Sequence, residues 1–375
     1  MKRKPLMWAA MTLTAAGCGL IQEKAAVETA STAVVERDFT AAINAILQLD
    51  DSRITSSDTL TRLLSTAYYG LTLQPREGIG AECADIDYTP DGRNVIFTDL
   101  KLGALTVFTF PEMRYITTVS TSIPAFASDI SPDGRHIATA LENHQFVITD
   151  ISTWQPDDVY YGHNSTVRGI AYADTCRIIT CSNDRSVILW NIAEETKQRD
   201  YRRLHARNIK NVRMSPDRSC FITASNDGTA NIVTLCPDSI SRQEICLAHG
   251  LNYVNDAAIF PDGKTAVTVG GDGTLKMWNT ADGAHKHTVN LNQSLCSVDI
   301  SSDGALIATG GNRSVAVIDA ASGRVITEVF GTGVPVWAIK FVNDSTLSFA
   351  DNARFSVIQL LSPQALVDAA RQLRR

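Results

Sequence analysis

Ser131-Pro132-Asp133-Gly134-Arg135-His136-Ile137-Ala138-Thr139-Ala140 contains the unit from which the rest of the chain can be read. A turn on Pro-Asp-Gly, in which Asp bonds nearby backbone and Gly tolerates positive φ, leads into a run of strand-forming residues. The turn, or a relic of it, returns at Asp91, Asp133, Thr175, Asp217, Asp262, Asp303 and Asp344. The spacing is about 41 to 45 residues, the period of a propeller blade of four short strands. An apolar residue precedes each turn by five, usually with a second apolar or aromatic one at three: Ile86 with Tyr88, Ile170 with Tyr172, Val298 with Ile300, Ile339 with Phe341. Such alternation marks a strand with one packed face. Apolar runs then follow, as in Cys220-Phe221-Ile222-Thr223-Ala224-Ser225 and Leu306-Ile307-Ala308-Thr309-Gly310-Gly311. Seven turns predict an all-β, seven-bladed β-propeller of four-stranded antiparallel blades.

After the second strand of a blade comes a hairpin such as Asn226-Asp227-Gly228-Thr229 or Gly271-Asp272-Gly273-Thr274. The third strand closes near a tryptophan in Val187-Ile188-Leu189-Trp190-Asn191 and Leu275-Lys276-Met277-Trp278-Asn279. With Gly162-His163 ahead of the third blade, Ser182 on its second strand and Asp184 in its hairpin, the chain resembles the WD-repeat family. That resemblance implies that His163, Ser182, Asp184 and Trp190 form one hydrogen-bond chain across the blade. Partial sets follow as His205 with Asp227, and His249 with Asp272 and Trp278. Their role is structural, since a buried indole N–H or carboxylate needs a partner. The aspartates Asp91, Asp133, Asp217, Asp262 and Asp303 likewise read as turn chemistry.

The start of the chain has another character. Met-Lys-Arg-Lys precedes an uncharged stretch from Pro5 to Gly17 and then Cys18, the charged and short apolar regions of an export signal. Thirteen uncharged residues are too few to span a bilayer. Ala15-Ala16-Gly17-Cys18 resembles the lipobox of bacterial lipoproteins, with Ala15 in the usual place of Leu. The resemblance implies acylation of Cys18 and anchoring in the cell envelope. Gly19, in place of the aspartate associated with inner-membrane retention, points to the outer membrane facing the periplasm.

Domain boundaries follow: a signal over 1–18, a helical or linker segment over 19–67, the propeller over 68–361 and a C-terminal helix over 362–375. Val27, Val34, Val35, Phe39, Ile43, Ile46 and Leu47 recur at three- and four-residue steps between Glu23 and Leu49, which predicts an amphipathic helix. A second short helix begins at Ser57. Blade seven lacks a fourth strand, and Tyr69 to Leu73 stand at a distance suited to supply it.

A net charge of −6, with 44% apolar and 20% charged residues, describes an ordinary globular chain. Loss of Lys2, Arg3 and Lys4 with the signal would bring the charge to about −9, which excludes a general nucleic-acid surface. The local exception is Arg199, Arg202, Arg203, His205, Arg207 and Lys210, read either as a solvated loop or as a site for an acidic partner or lipid headgroup. Eight cysteines include Cys18; of the rest, Cys236 and Cys246 flank one strand connection and form the pair to test. No metal site is expected, because Cys-x-x-Cys and helical His spacing are absent, and no cofactor is expected.

The chain has no nucleophile elbow and no phosphate loop. The leading expectation is therefore a non-enzymatic, lipid-anchored scaffold that binds a protein or peptide through the loops before each inner strand. Ala125, Arg168, Lys210, Asn255, Cys296 and Trp337 are expected on that face, with Trp337 either plugging the channel or making contact. The alternative is a quinoprotein-like or ligand-binding propeller, prompted by Asn279-Thr280-Ala281-Asp282-Gly283 and Asp319-Ala320-Ala321-Ser322-Gly323. A β-barrel assembly factor is a partner-binding variant of the first reading, and a six-bladed Tol-associated propeller shares the Ser-Pro-Asp-Gly turns.

Overall fold

The computed structural model describes residues 6–235, 244–330, 333–352 and 354–374, with side chains in the first helix described after Cys18. The chain divides into two compact units.

The larger unit, Gln74–Arg324 with Gly331–Gln359, holds the propeller. Seven antiparallel four-stranded sheets are present, so the six-bladed alternative is set aside. Blade three shows the plan: Val167–Tyr172, Arg177–Ser182, Val187–Asn191 and Thr196–Tyr201, running from the inner to the outer edge. Its second strand is buried at every residue after Arg177, whereas its outer strand is exposed at most positions. The inner strands of neighbouring blades touch in sequence, and Cys83–Tyr88 of blade one meets Ala338–Asn343 of blade seven to close the ring. Between blades two and three the core stacks Phe146, Tyr160 and Trp190, with Phe146 and Tyr160 nearly parallel at 4.7 Å. Apolar faces packed in this way supply most of the favourable folding energy of a β structure.

Turn chemistry accounts for the repeated aspartates. Ser131 Oγ donates to Asp133 Oδ1 at 2.6 Å, and Thr89–Asp91, Ser215–Asp217 and Ser301–Asp303 repeat the arrangement. Asp262 accepts from the Lys264 amide, whereas Asp344 reaches across to Ser302 Oγ and the Asp303 amide of the preceding blade.

Closure uses different residues from those expected. Tyr69 to Thr72 continue a helix that Leu73 ends, and the fourth strand of blade seven is Arg76–Glu77, paired with Phe355 and Arg354. The helix runs on because Leu60, Leu63, Leu64, Ala67 and Tyr69 keep a buried face at three- and four-residue steps.

The second unit comprises the described chain up to Leu73, the β-strand Val325–Phe330 and the residues from Leu360, and is otherwise helical. Its helices are α1 (Leu6–Val35), α2 (Phe39–Ile46), α3 (Asp51–Ser56), α4 (Asp58–Thr72) and α5 (Pro363–Gln372). The single helix expected over 23–49 is broken, because Arg37 adopts φ +59 and the Asp38 side chain caps α2 by accepting from the Ala41 amide. Ser57 stands at the N-cap of α4 but makes no side-chain cap bond. Ala30, Ile43, Ile46, Ile54, Leu60, Leu64 and Val367 form the core of this unit, and Arg371 of α5 pairs with Asp51 of α3. Among the described residues no helix is long and apolar enough to cross a membrane.

Met1 to Pro5 of the expected signal lie outside the described residues, and the backbone of 6–18 belongs to α1. The side chain of Cys18 is likewise outside them. Cys236 also lies outside, and with it the suggested Cys236–Cys246 pair; Cys246 is on the exposed strand Glu244–Ala248.

Candidate functional site

The buried polar sets are spent on holding blades together. In blade three, His163 Nδ1 lies 3.1 Å from Asp184 Oδ2, and His163 Nε2 lies 2.8 Å from Thr180 Oγ1. Trp190 Nε1 donates to the same Thr180 hydroxyl at 2.8 Å. The hydroxyl between His and Trp is therefore that of Thr180 and not Ser182. Ser182 sits two residues further on, where its Oγ donates to the Ser165 carbonyl and accepts from the Asp184 amide, so it ties the hairpin. Both residues point to the same strand face, but Thr180 is at the depth where the indole and imidazole meet.

Blade five repeats the chain through Thr268, which bonds His249 Nδ1 at 2.6 Å and accepts from Trp278 Nε1 at 2.8 Å. His249 Nε2 lies 3.3 Å from Asp272. Blade four keeps His205, Asp227 and Thr223, with Val233 in place of the tryptophan. Burial raises the Asp184 and Asp227 carboxyls, but bonds from His163 with Ser186, and from His205 with Thr229, outweigh it and hold both well below the usual range. Thr139, Thr180, Thr223, Thr268 and Thr309 recur at one place in five blades, a period visible in the sequence that would have identified the missing member.

A candidate functional surface lies at the mouth of the channel. In six blades the inner strand carries a bulge at its first residues, between Cys83/Asp85, Ala125/Ala127, Val167/Gly169, Ile209/Asn211, Val254/Asp256 and Leu295/Ser297. Each bulge takes one residue out of the ladder and re-aims it. Those residues are Ala84, Phe126, Arg168, Lys210, Asn255 and Cys296, and together with Trp337 they line a cavity of about 160 Å³. The structure thus brings together Arg168, Lys210, Asn255 and Trp337. It does not bring Ala125 there: Ala125 is fully buried, and the next residue, Phe126, takes the position because it is the bulged one. Arg202, Arg203 and Arg207 are exposed on the connection between blades three and four and do not line the mouth. Arg202 is paired with Asp200 at 2.7 Å.

Beneath the mouth, carboxylates staple neighbouring blades. Asp129 Oδ2 accepts from the Tyr172 amide and Asp299 Oδ2 from the Phe341 amide, both at 2.7 Å. Asp85 and Asp256 accept from the Ser128 and Val298 amides. Arg213 bridges Asp256 at 2.7 Å and Asp299 at 3.5 Å, and Lys340 lies 3.7 Å from Asp87. Burial, then the nearby Asp87 charge, push Asp85 up to about 7 and Asp129 to about 6. These residues occupy two columns of the inner strands, which become one ring only when the blades close.

The family described as WD domain, G-beta repeat (WD40) matches residues 154–191, 200–233, 241–279 and 284–319. Four stretches of the chain match the WD40 repeat. Three of the four matched stretches join the outer strand of one blade to three strands of the next, and 200–233 begins at the end of such an outer strand, so the match is offset from the blade by one strand. The chain is 27% identical to an LST8 homolog of Drosophila pseudoobscura pseudoobscura over 40% of its length and 50% of that protein. It is 26% identical to a p21-activated protein kinase-interacting protein 1-like chain of Gallus gallus over 53% of its length and 52% of that protein. A guanine nucleotide-binding protein subunit beta of Arabidopsis thaliana matches at 23% identity over 76% of this chain and 80% of its own. The chain spans about half the length of the first two relatives. WD40 resemblance thus extends over the blades with His–Asp–Thr sets and beyond them.

One further cluster places His136, Asp150 and Asp157 of blade two close enough to surround a metal ion. Asp150 Oδ1 already accepts from the Ser152 and Thr153 amides and from the Ser152 hydroxyl, which spends it on a turn. The Asp319 and Asn279 side chains that prompted the quinoprotein alternative likewise bond within their own turns, to Ser322 and to the Ala281 amide.

Proposed function

We propose that this chain is a non-catalytic scaffold whose WD40 propeller presents the channel mouth to a protein or peptide partner. The observation that carries the reading is the set of bulged side chains that converge there with Trp337, a large aromatic left 40% exposed on an otherwise tightly packed ring. Exposed aromatics beside a concave site are the residues from which interfaces draw most energy. The relatives support it: one is named for interaction with a protein kinase, and another is a subunit of a larger protein.

The proposal includes attachment to the bacterial cell envelope through a lipid on Cys18, at the outer membrane and facing the periplasm. Support comes from the basic start, the short uncharged stretch and Ala15-Ala16-Gly17 directly before Cys18. The test is affinity capture from crosslinked envelopes with three forms of the tagged protein: unaltered, Cys18→Ser and Trp337→Ala. A partner retained by the first and lost by the third supports the scaffold. A partner captured equally by Trp337→Ala sinks the mouth as the docking face. Unchanged membrane fractionation and no labelled palmitate difference in Cys18→Ser would sink the anchor.

A further inference from the structure

Among the described residues, two cations at the mouth have no partner of opposite charge. Arg168 and Lys210 are the bulged residues of adjacent blades three and four, and among the described residues neither makes an ion pair or a side-chain hydrogen bond. Both are half-buried. The Arg168 guanidinium lies over the Phe126 ring at 4.0 Å, and the Lys210 ammonium is 5.9 Å from the centroid of Tyr253. Stacking holds the plane of the guanidinium while leaving its N–H edge available for a planar acceptor. Burial, and for Lys210 also the charge of Arg168, lower the pKa of both groups, so an incoming anion would relieve a real cost.

The carboxylates nearby are occupied. Asp256 is held by Arg213, Asn211 and two backbone amides, and Asp85 accepts from the Ile86 and Ser128 amides. Glu82 also lines the mouth, from blade one, on the part of the ring away from blades three and four. The charge around the mouth is therefore uneven, and an extended ligand would meet cations on one side. Trp337 is exposed on the same rim, as is Tyr253.

We propose that Arg168 and Lys210 bind the carboxylate of an acidic segment in a protein partner, with Trp337 covering an apolar residue beside it. This deepens the scaffold reading and rests on it. A cavity of about 160 Å³ accepts a side chain or a chain end. A flat anionic membrane surface would not reach two half-buried cations inside a concave mouth, which favours the peptide. Pairing with two desolvated cations is where charge complementarity acts on specificity.

The experiment is selection of random heptapeptides on the immobilised full-length protein, repeated on an Arg168→Met/Lys210→Met variant that keeps the apolar stems. Near-UV circular dichroism checks that the variant retains its fold. Expected is enrichment of Asp or Glu next to an apolar residue, with binding of a synthesised winner at least tenfold weaker to the variant and to the Gln-for-Glu peptide. Enrichment of basic or purely apolar peptides, no enrichment, or equal acidic binding by the variant would overturn the proposal. So would sedimentation with phosphatidylglycerol vesicles that depends on Arg168 and Lys210 while peptides fail, since the anion would then be a headgroup. If crosslinked capture depends on Trp337 but not on Arg168 and Lys210, the acidic segment is wrong and the scaffold stands; if it depends on none of them, the scaffold face fails as well.

Discussion

Asp129 of blade two accepts a 2.7 Å hydrogen bond from the backbone N–H of Tyr172 in blade three, so one carboxylate joins two blades at the channel wall. Replacing it by Ala leaves that N–H unpaired, and the expected loss is about 1–3 kcal/mol of unfolding free energy. Asp129→Asn retains an acceptor and sheds a charge that Asp87 opposes, so it should stay within about 1 kcal/mol of the unaltered protein. Urea denaturation at pH 7.5 distinguishes them, and equal midpoints would remove the staple as an explanation.

The channel carboxylates give stability a pH dependence of definite sign. Asp85 at about 7 and Asp129 at about 6 are raised above the ordinary value of 3.8, so the native state holds more protons than the unfolded one between those limits. Their contribution is full below about pH 4 and is lost as pH rises through 6 to 7. Asp184 and Asp227 are depressed, so their contribution is present above about pH 4 and is lost on acidification. The urea midpoint is expected to peak near pH 4 and fall toward pH 8, with the alkaline fall shallower in Asp129→Asn. A midpoint that rises from pH 5 to 8 contradicts the assignment.

Thr180 and Ser182 separate the blade-spanning chain from the hairpin. Thr180→Val keeps shape but strands the buried Trp190 N–H and one face of His163, at a cost of about 2–3 kcal/mol. Ser182→Ala removes a bond to the Ser165 carbonyl and should cost about 1 kcal/mol. Thermal melting of the two variants checks the order, and the reverse order would return Ser182 to the chain.

Gly228 has φ +87, and a Cβ there would run into the Gly250 carbonyl oxygen of the loop that follows blade four. Both the left-handed backbone and the backbone collision oppose a side chain, so Gly228→Ala is expected to cost about 2–4 kcal/mol. Gly92, also at positive φ but with open space around it, should show only the conformational part, about 1 kcal/mol. Matched denaturation curves of the two alanine variants measure the difference.

Several features were legible in the residues because they depend on local chemistry repeated at a fixed period. The turns at Asp91 through Asp344 counted seven blades, and Asp and Gly in the hairpins marked where strands reverse. The His–Asp pairs and the tryptophans Trp190 and Trp278 are placed on their blades by the sequence pattern, because buried polar groups of these kinds demand partners. Alternation tells which face a residue occupies, but not how deep along the strand it lies or where a bulge interrupts the ladder. That is why Thr180 and not Ser182 meets Trp190, and why Phe126 and not Ala125 reaches the mouth. Tertiary structure alone chose Arg76–Glu77 to close blade seven and brought Arg168 and Lys210 beside Phe126 and Tyr253. The period specifies each blade, but the contacts between blades arise only when the ring closes.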